Sequence, residues 1–218
     1  NAFYALIRKL QPDAVIAIAG PDVRWIGTES GYGRETEWSV LPVDAQNVDD
    51  IAANSQQSVN KVPNLDWSKQ VLGDRPVITN AKALVWFPAE ADVSIRPGWF
   101  YHSSQDSLVK TPERLIDIYF SSVGRNSGLL LNIPPDKRGL IHENDVKSLI
   151  GMKEILDKTF ATNYAIGANL KSDGKNTNTI LDSDTKTFWT TKDENETGYI
   201  QLLLNEPQKI DVLCLQEN

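Results

Sequence analysis

The sequence has little cysteine, little histidine, a deficit of basic residues and no long apolar run. One cysteine, Cys214, and two histidines occur among 218 residues, which excludes an internal disulfide framework and a zinc site built from several cysteines. No apolar run approaches the roughly 20 residues that a transmembrane helix needs. The formal net charge is −7, so the chain lacks the basic surface that nucleic-acid binding requires.

What remains is the composition of a soluble globular protein, with 40% hydrophobic and 23% charged residues. The length fits one large domain or two modest ones. The sequence opens on Asn1 rather than on a methionine, and a helical pattern follows directly. We expect either that a leader has been removed or that the chain belongs to a longer polypeptide.

The first part of the chain shows alternating helix and strand patterns. Apolar residues at helical spacing predict an amphipathic helix over residues 2–10. The continuous apolar run Ala14–Ala19 is typical of a strand buried on both faces of a parallel sheet. Further strands are predicted at Lys82–Phe87 and Gly128–Ile133. This alternation predicts an α/β protein with parallel strands.

Two further helices have recognisable starts. Thr111 is the predicted N-cap of the first, with Pro112 at the first helical position, and the second starts at Glu143 or Asn144. The expected inward face of the first helix is Leu115, Ile116, Tyr119, Phe120 and Val123. That of the second is Val146, Leu149, Ile150, Leu156 and Phe160.

The composition changes near residue 161, where Asn, Thr, Asp and Lys become frequent. Short alternating segments at Tyr199–Leu204 and Lys209–Leu215 predict an antiparallel β module. We therefore predict two domains, 1–160 and 161–218, each of them incomplete.

The first candidate functional segment is 22–40, just past the first predicted strand. It combines Glu29, Glu35 and Glu37 with Trp25 and with arginines. The carboxyl ends of parallel strands are where ligands bind in α/β proteins. A carboxyl group beside an indole face is partly desolvated, which raises its pKa and suits a general acid. The alternative is a solvated loop with ion pairs.

The second candidate segment, 86–102, again follows a predicted strand and contains Trp86, Glu90 and Trp99. Flat aromatic rings suit the C–H groups of a sugar, while carboxylates take its hydroxyls. The alternative is that these aromatics belong to the core. A third segment, 123–139, is interpreted by itself as scaffold.

Together these three segments resemble the glycoside hydrolase family 29 α-L-fucosidases, over residues 1 to about 160. The string from Asn126 to Asp136 is similar to the family's "NGNLLLNIGP" strand, and segments 22–40 and 89–102 resemble the branch acting on α-1,3/1,4-linked fucose. The resemblance implies that 1–160 is the C-terminal portion of a (β/α)8 TIM-like barrel, and that terminal α-L-fucose is hydrolysed with retention.

The resemblance also implies site residues. Glu29, in Trp-Ile-Gly-Thr-Glu, is similar to the segment that carries the general acid/base, with Glu35, Glu37 and Glu90 as alternatives. The family's aspartate nucleophile lies in a Phe-Asp-Gly-like motif that this sequence lacks, so we expect it upstream of Asn1. The expected substrate-binding residues are Trp25, Glu90 and Trp99.

The tail has a resemblance of its own. Asp182–Trp189 is similar to the "DGDxxTxW" core of discoidin-like, galactose-binding β-sandwiches, with Ser183 in place of the common glycine. This implies that 161–218 begins such a sandwich, with Trp189 as a core anchor. The acidic run Asp182–Asp184 is interpreted as a surface turn, with a structural Ca²⁺ as the alternative; we expect no other cofactor and no metal at the catalytic site.

The function implied is that of a retaining exo-α-L-fucosidase acting on fucosylated glycans outside the cytoplasm, in the periplasm or in secreted form. Its expected partners are the glycan substrate and the rest of its own polypeptide on either side, without nucleic acid and without a membrane-spanning segment. The alternatives are a carbohydrate-binding, lectin-like protein without hydrolysis, and a different glycosidase on the same barrel.

Overall fold

The computed structural model describes residues 2–17, 22–43, 72–79, 81, 83–192 and 197–216. The chain divides into two compact units, Asn1–Lys153 and Glu154–Asn218. The domains 1–160 and 161–218 stay a prediction. None of the helices in the described ranges is long and apolar enough to cross a membrane.

Three of the four helices in the described residues begin where the sequence predicts them, and the short second one was not predicted. Helix α1 spans Ala2–Leu10, and the short helix α2 spans Arg75–Ile78. Helix α3 spans Pro112–Ser122, and the Thr111 hydroxyl accepts a hydrogen bond from the Arg114 amide, as the N-cap prediction requires. Helix α4 spans Glu143–Thr159.

A parallel sheet of three strands forms the centre of the first unit. Strand β4 (Ala89–Ser94) lies between β1 (Arg24–Trp25) and β5 (Ser127–Asn132), and it is parallel to both. Between β4 and β5 the chain passes through a 3₁₀ helix at Ser103–Leu108 and through α3. This is a β-α-β connection, and it confirms the predicted α/β class.

The two faces of β4 differ in chemistry. Ala89, Ala91 and Val93 are buried, as are Leu115 and Ile118 of α3. A Cβ added at Gly31 would lie 2.9 Å from Ile118 Cγ2 and 3.0 Å from Val93 Cγ1. The strand's apolar face is therefore packed towards the helix. Because side chains alternate along a strand, Glu90, Asp92 and Ser94 share the opposite face.

The predicted strand Ala14–Ala19 is not formed where it is described. Residues 14–17 have no strand partner and Val15 is 69% exposed, while residues 18 and 19 lie outside the described residues. The backbone groups of this segment bind nearby side chains instead. The Ile16 amide donates to Asp22 Oδ2 at 2.7 Å, and Arg8 donates to the Ala14 carbonyl and to the Asp22 carboxylate.

The predicted strand Lys82–Phe87 exists but belongs to another sheet. Strand β3 (Ala83–Trp86) pairs antiparallel with β2 (Val40–Val43). The parallel strand is β4, which lies inside the candidate segment 86–102, for which no strand was predicted. Its two alanines and two acidic residues have low β propensity, and the segment contains no apolar run.

Three of the five residues predicted to face inward from α4 are exposed, while Leu149 and Leu156 are half-buried. Val146 is 38% exposed, Ile150 54% and Phe160 50%. The buried residues of this helix are Asp145 and Ser148. A buried ion pair of Asp145, described below, sets the orientation of this helix in place of the apolar stripe. In α3, Leu115 is buried as predicted, but Ile118 rather than Val123 completes its core face.

In the second unit, β6 (Asn169–Ser172) pairs antiparallel with β7 (Ile200–Leu203). Trp189 Nε1 donates to Ser172 Oγ at 2.9 Å, and a Cβ at Gly174 would lie 2.4 Å from the Trp189 ring. The indole is therefore packed against the strand end, and its role as a core anchor stays a prediction. The strand expected within Lys209–Leu215 is not formed, and Leu213 and Leu215 are exposed.

Gly31 provides a test of the packing between β4 and α3. Its φ is +76°, and a Cβ would meet Ile118 and Val93. Replacing Gly31 with alanine should lower the free energy of unfolding by about 3 kcal/mol, through a left-handed backbone and an overpacked contact. Urea denaturation measures the loss.

Gly139→Ala is the matched control, because Gly139 has the same φ of +76° with nothing within 4 Å of the added Cβ. It should cost only about 1 kcal/mol, the backbone term alone. Equal losses in the two variants would contradict the described contact.

Candidate active site

The candidate site lies past the carboxyl ends of β1 and β4. The segment that carries Glu29 is attached to β4 at both sides: the Ile26 amide donates to the Glu90 carbonyl at 3.1 Å, and the Gly31 amide donates to the Asp92 carbonyl at 3.0 Å. Glu29 is exposed between these two attachments. The backbone therefore presents its carboxylate at the edge where parallel strands usually place catalytic groups.

Glu29 and Trp99 meet, although 70 positions separate them in the sequence. Trp99 Nε1 donates to Glu29 Oε2 at 2.6 Å. Two of the predicted site residues are thus brought together. The contact uses the indole N–H, so the indole orients the carboxylate by a charge-assisted hydrogen bond.

Trp25 is oriented by a second carboxylate. Its Nε1 donates to Asp92 Oδ1, and in the sheet register Trp25 lies opposite Glu90. Sequence reasoning missed Asp92. The signal that points to it is its spacing of two from Glu90, which places both acidic residues on one face once the segment forms a strand.

Glu90 is partly buried beside that second carboxylate. Its Oε1 is buried and has no hydrogen-bond partner among the described residues. Burial, and then the negative charge of Asp92, raise the pKa of Glu90. The neutral acid therefore persists to a higher pH than in a free glutamate, and both forms of the carboxyl group have oxygens that can accept a hydrogen bond.

Glu37 has a different role from its neighbours on the same segment. It is fully buried, and it forms ion pairs at 2.8 Å with Arg24 and at 2.8 Å with Arg34. Burial alone would raise the pKa of Glu37, but the charge of Arg24 and the Arg34 backbone and charge outweigh it, and the pKa is lowered. Glu37 is thus held as a carboxylate and cannot act as a proton donor near neutral pH.

A second buried ion pair fixes the loop that carries Trp99. Arg96 donates to Asp145 through Nε and Nη2, with Nη2 at 2.9 Å from Oδ2, and through Nη1 to Asp106 Oδ1 at 2.9 Å. Both Arg96 and Asp145 side chains are fully buried. Sequence reasoning did not find this network, because 49 positions separate its two central residues.

Among the described residues, no group of three or more His, Cys, Asp and Glu side chains could hold a metal ion. In the second unit, Asp182 Oδ1 accepts from the Asp184 amide at 2.9 Å and Oδ2 accepts from the Thr187 hydroxyl at 2.8 Å. Both oxygens therefore accept hydrogen bonds within the same turn; the surface turn, with a structural Ca²⁺ as the alternative, stays a prediction.

The fold and the site define an α/β protein whose acidic and indole side chains meet at the carboxyl ends of parallel strands, an arrangement suited to sugars. The model of the family described as Alpha-L-fucosidase matches residues 3–159. The chain therefore belongs to the α-L-fucosidase family, glycoside hydrolase family 29, as the three resembling segments implied.

Known relatives agree with this membership. Alpha-L-fucosidase 1 of Arabidopsis thaliana is 40% identical over 173 residues, which are 79% of this chain and 30% of that protein. Among solved structures, a glycoside hydrolase 29 family member from an unknown rumen bacterium is 36% identical with a TM-score of 0.60, over 78% of this chain and 27% of that one.

A Ruminococcus gnavus GH29 fucosidase, solved in complex with fucose, is 30% identical with a TM-score of 0.59, over 82% of this chain and 34% of its own. The chain spans 30% and 40% of the length of the two curated relatives that it matches.

The Glu37 ion pairs predict a stability change and its pH dependence. Glu37→Gln should lower the free energy of unfolding by about 3–5 kcal/mol at neutral pH, because Arg24 is left buried without its counter-charge. A group with a lowered folded pKa stabilises above its unfolded pKa of about 4.3, and that contribution is lost as the pH falls through the folded value. The difference between wild type and variant should therefore shrink in acid.

Thermal or urea unfolding between about pH 3 and pH 7 measures this difference across the range that Glu37 titrates. Glu35→Gln is the control, since Glu35 is exposed two positions earlier and should change stability by less than about 0.5 kcal/mol. A pH-independent loss in Glu37→Gln would show that the charge of Glu37 contributes nothing.

Proposed function

We propose that this chain contributes the acid/base part of a retaining exo-α-L-fucosidase that releases terminal, α-1,3/1,4-linked α-L-fucose from glycans, with Glu29 as general acid/base. The observation that carries the proposal is the hydrogen bond at 2.6 Å from Trp99 to the Glu29 carboxylate, at the carboxyl ends of parallel strands in a member of the fucosidase family. Such a contact holds an exposed carboxylate in one orientation.

The proposed reaction has two steps. An aspartate encoded upstream of Asn1 attacks the anomeric carbon while Glu29 gives its proton to the departing glycosidic oxygen, and a fucosyl-enzyme forms. Glu29, now a carboxylate, then takes a proton from the water that attacks the same carbon, and fucose leaves with retained configuration. The Trp99 N–H stabilises the carboxylate form between the two steps.

Glu29 fits this role better than the other carboxylates of the site. The carboxylate of Glu37 is already paired with Arg24 and Arg34, and that of Asp92 accepts a hydrogen bond from the Trp25 N–H. Glu90 projects from the strand itself rather than from the loop above it, and we assign it to a fucose hydroxyl. Its free buried oxygen supports that role, while Trp25 and Trp99 offer ring faces to the sugar.

We place these residues in the C-terminal portion of a (β/α)8 TIM-like barrel, followed by the start of a galactose-binding-like β-sandwich. The parallel order β1-β4-β5 supports the first part, and the antiparallel pair β6–β7 with the packed Trp189 supports the second. The rest of the polypeptide supplies the remaining barrel strands, and the enzyme works outside the cytoplasm on fucosylated glycans.

Glu29→Gln tests the acid/base assignment in the complete polypeptide. Its kcat/KM should fall by about 10²–10⁴-fold on a fucosylated trisaccharide, because the poor leaving group needs the proton. Its kcat/KM on 2,4-dinitrophenyl α-L-fucoside should change little, because that leaving group departs without help. Steady-state kinetics on both substrates measures the contrast.

Glu35→Gln, on the same exposed segment, should retain wild-type kinetics on both substrates. Unchanged turnover of the trisaccharide by Glu29→Gln would overturn the assignment. A wild-type protein that binds fucosylated glycans without releasing fucose would instead support the lectin-like alternative, and release of another sugar would support a different glycosidase.

Substitutions of Glu90 test its proposed contact with a sugar hydroxyl. Glu90→Ala should lower kcat/KM by roughly 10–100-fold, the cost of one lost hydrogen bond in a partly buried site. Glu90→Gln should lose less activity than Glu90→Ala, because the amide oxygen can still accept a hydrogen bond from the sugar hydroxyl. Equal losses in both variants would show that the negative charge, and not the hydrogen bond, is needed.

A further inference from the structure

Asn132, the last residue of β5, connects this strand to the loop that carries Trp99. Its Nδ2 donates to the Trp99 carbonyl at 2.9 Å and to Ser94 Oγ at 3.1 Å. Its own carbonyl accepts from the Ile95 amide at 2.9 Å. Asn132 ends the Asn-Ser-Gly-Leu-Leu-Leu-Asn string, which the sequence analysis interpreted as scaffold.

Ser94 completes the attachment from the other side. Its hydroxyl donates to the Gly98 carbonyl at 2.7 Å and accepts from Asn132 and from the Arg96 amide. The carbonyls of two consecutive residues, Gly98 and Trp99, are thus both bound by side chains at the strand ends. The backbone at Trp99 is therefore fixed relative to β4 and β5, although the chain there belongs to no regular element.

Fixing this backbone also fixes where the indole N–H lies. Trp99 is partly buried and Glu29 is exposed, so little packing around Glu29 itself restricts its carboxylate. The 2.6 Å hydrogen bond from Trp99 then sets the carboxylate's position. A shift of the Trp99 backbone by about 1 Å would break or bend this bond, and a misplacement of this size in a catalytic group can cost about 10²-fold in rate.

We propose that Asn132 is a positioning residue for the acid/base: by holding the Trp99 carbonyl, its side-chain amide places the indole N–H that orients Glu29. The inference rests on the proposed function of Glu29. Asn132 acts through Trp99 and does not itself contact the substrate, which separates its role from those of Trp25 and Glu90.

The test compares leaving groups in the complete polypeptide. Asn132→Asp keeps the side-chain size, removes both N–H donors and sets a carboxylate against the Trp99 carbonyl. We expect its kcat/KM to fall by about 10–100-fold on a fucosylated trisaccharide and by less than about threefold on 2,4-dinitrophenyl α-L-fucoside, since kcat/KM for the latter needs no proton donor. Trp99→Phe removes the indole N–H donor together with part of the ring face proposed to contact the sugar, so it should lose activity on both substrates, with the larger loss on the trisaccharide.

A double variant, Asn132→Asp with Trp99→Phe, tests whether Asn132 acts through Trp99. If Asn132 acts through Trp99, Asn132→Asp adds no further leaving-group-dependent loss in the Trp99→Phe background, whereas independent residues give multiplied losses. Ser94→Ala, which removes the hydroxyl between Asn132 and Gly98, should show a smaller loss of the same kind. Asn205→Asp is the matched control, because Asn205 also donates its amide to a backbone carbonyl, that of Gly167 at 3.4 Å, but lies in the second unit.

Each outcome of these measurements either supports or overturns the positioning role of Asn132. A uniform loss on both substrates, or multiplied losses in the double variant, would overturn the positioning role and leave Asn132 as scaffold. A wild type inactive even on 2,4-dinitrophenyl α-L-fucoside would overturn the proposed function instead. A crystal structure of Asn132→Asp decides independently of activity: a displaced Trp99 indole supports the inference, and an unchanged contact with Glu29 overturns it. If Asn132→Asp does not fold, Ser94→Ala takes its place in both measurements.

Discussion

The alternation of β4 is the constraint on which the rest of the first unit depends. One face of Ala89–Ser94 must be small and apolar, because α3 packs on that side, and the other face must be polar, because it borders the candidate site. Period-two geometry makes these two requirements compatible within six residues. The same strand also pairs with β1 and β5, and it binds the Ile26 and Gly31 amides on either side of Glu29. A shift of one residue in the pairing register of β4 would turn its apolar side chains towards the site and its polar side chains towards the core.

Around this strand, buried arginines rather than apolar side chains hold the loops in place. Arg24 joins Glu37 to the backbone carbonyls of Trp38 and Phe87, and Arg96 joins Asp145 to Asp106. Burying such pairs costs desolvation energy, so they are weak evidence for added stability. They define geometry, because a planar guanidinium donates hydrogen bonds in a few fixed directions only. Both loops of the candidate site are therefore fixed by directional contacts.

Sequence reasoning succeeded where the signal is local. The helix at 2–10 and the Thr111 cap depend on neighbours within one or two turns, and both were found. It failed for β4 and for the face of α4, because partners far along the chain decide those features. It also failed for the strand at 14–17, where the side chains of Arg8 and Asp22 bind the backbone. The Arg96–Asp145 pair bridges 49 positions and the Trp99–Glu29 contact bridges 70. The candidate site could be named residue by residue from a resemblance, but its hydrogen bonds could not be derived from spacing.

The two indole hydrogen bonds have a consequence for how a sugar can be recognised. A tryptophan has a single polar hydrogen, and in both Trp25 and Trp99 a carboxylate already occupies it. These side chains can therefore offer a ligand only their carbon surfaces. Such surfaces contact C–H groups favourably, but they cannot replace the hydrogen bonds that a hydroxyl loses when its water is removed. Under the proposed function, selection among the hydroxyl patterns of a sugar would therefore depend on the remaining polar atoms of the site, and the tryptophans would contact its C–H surfaces.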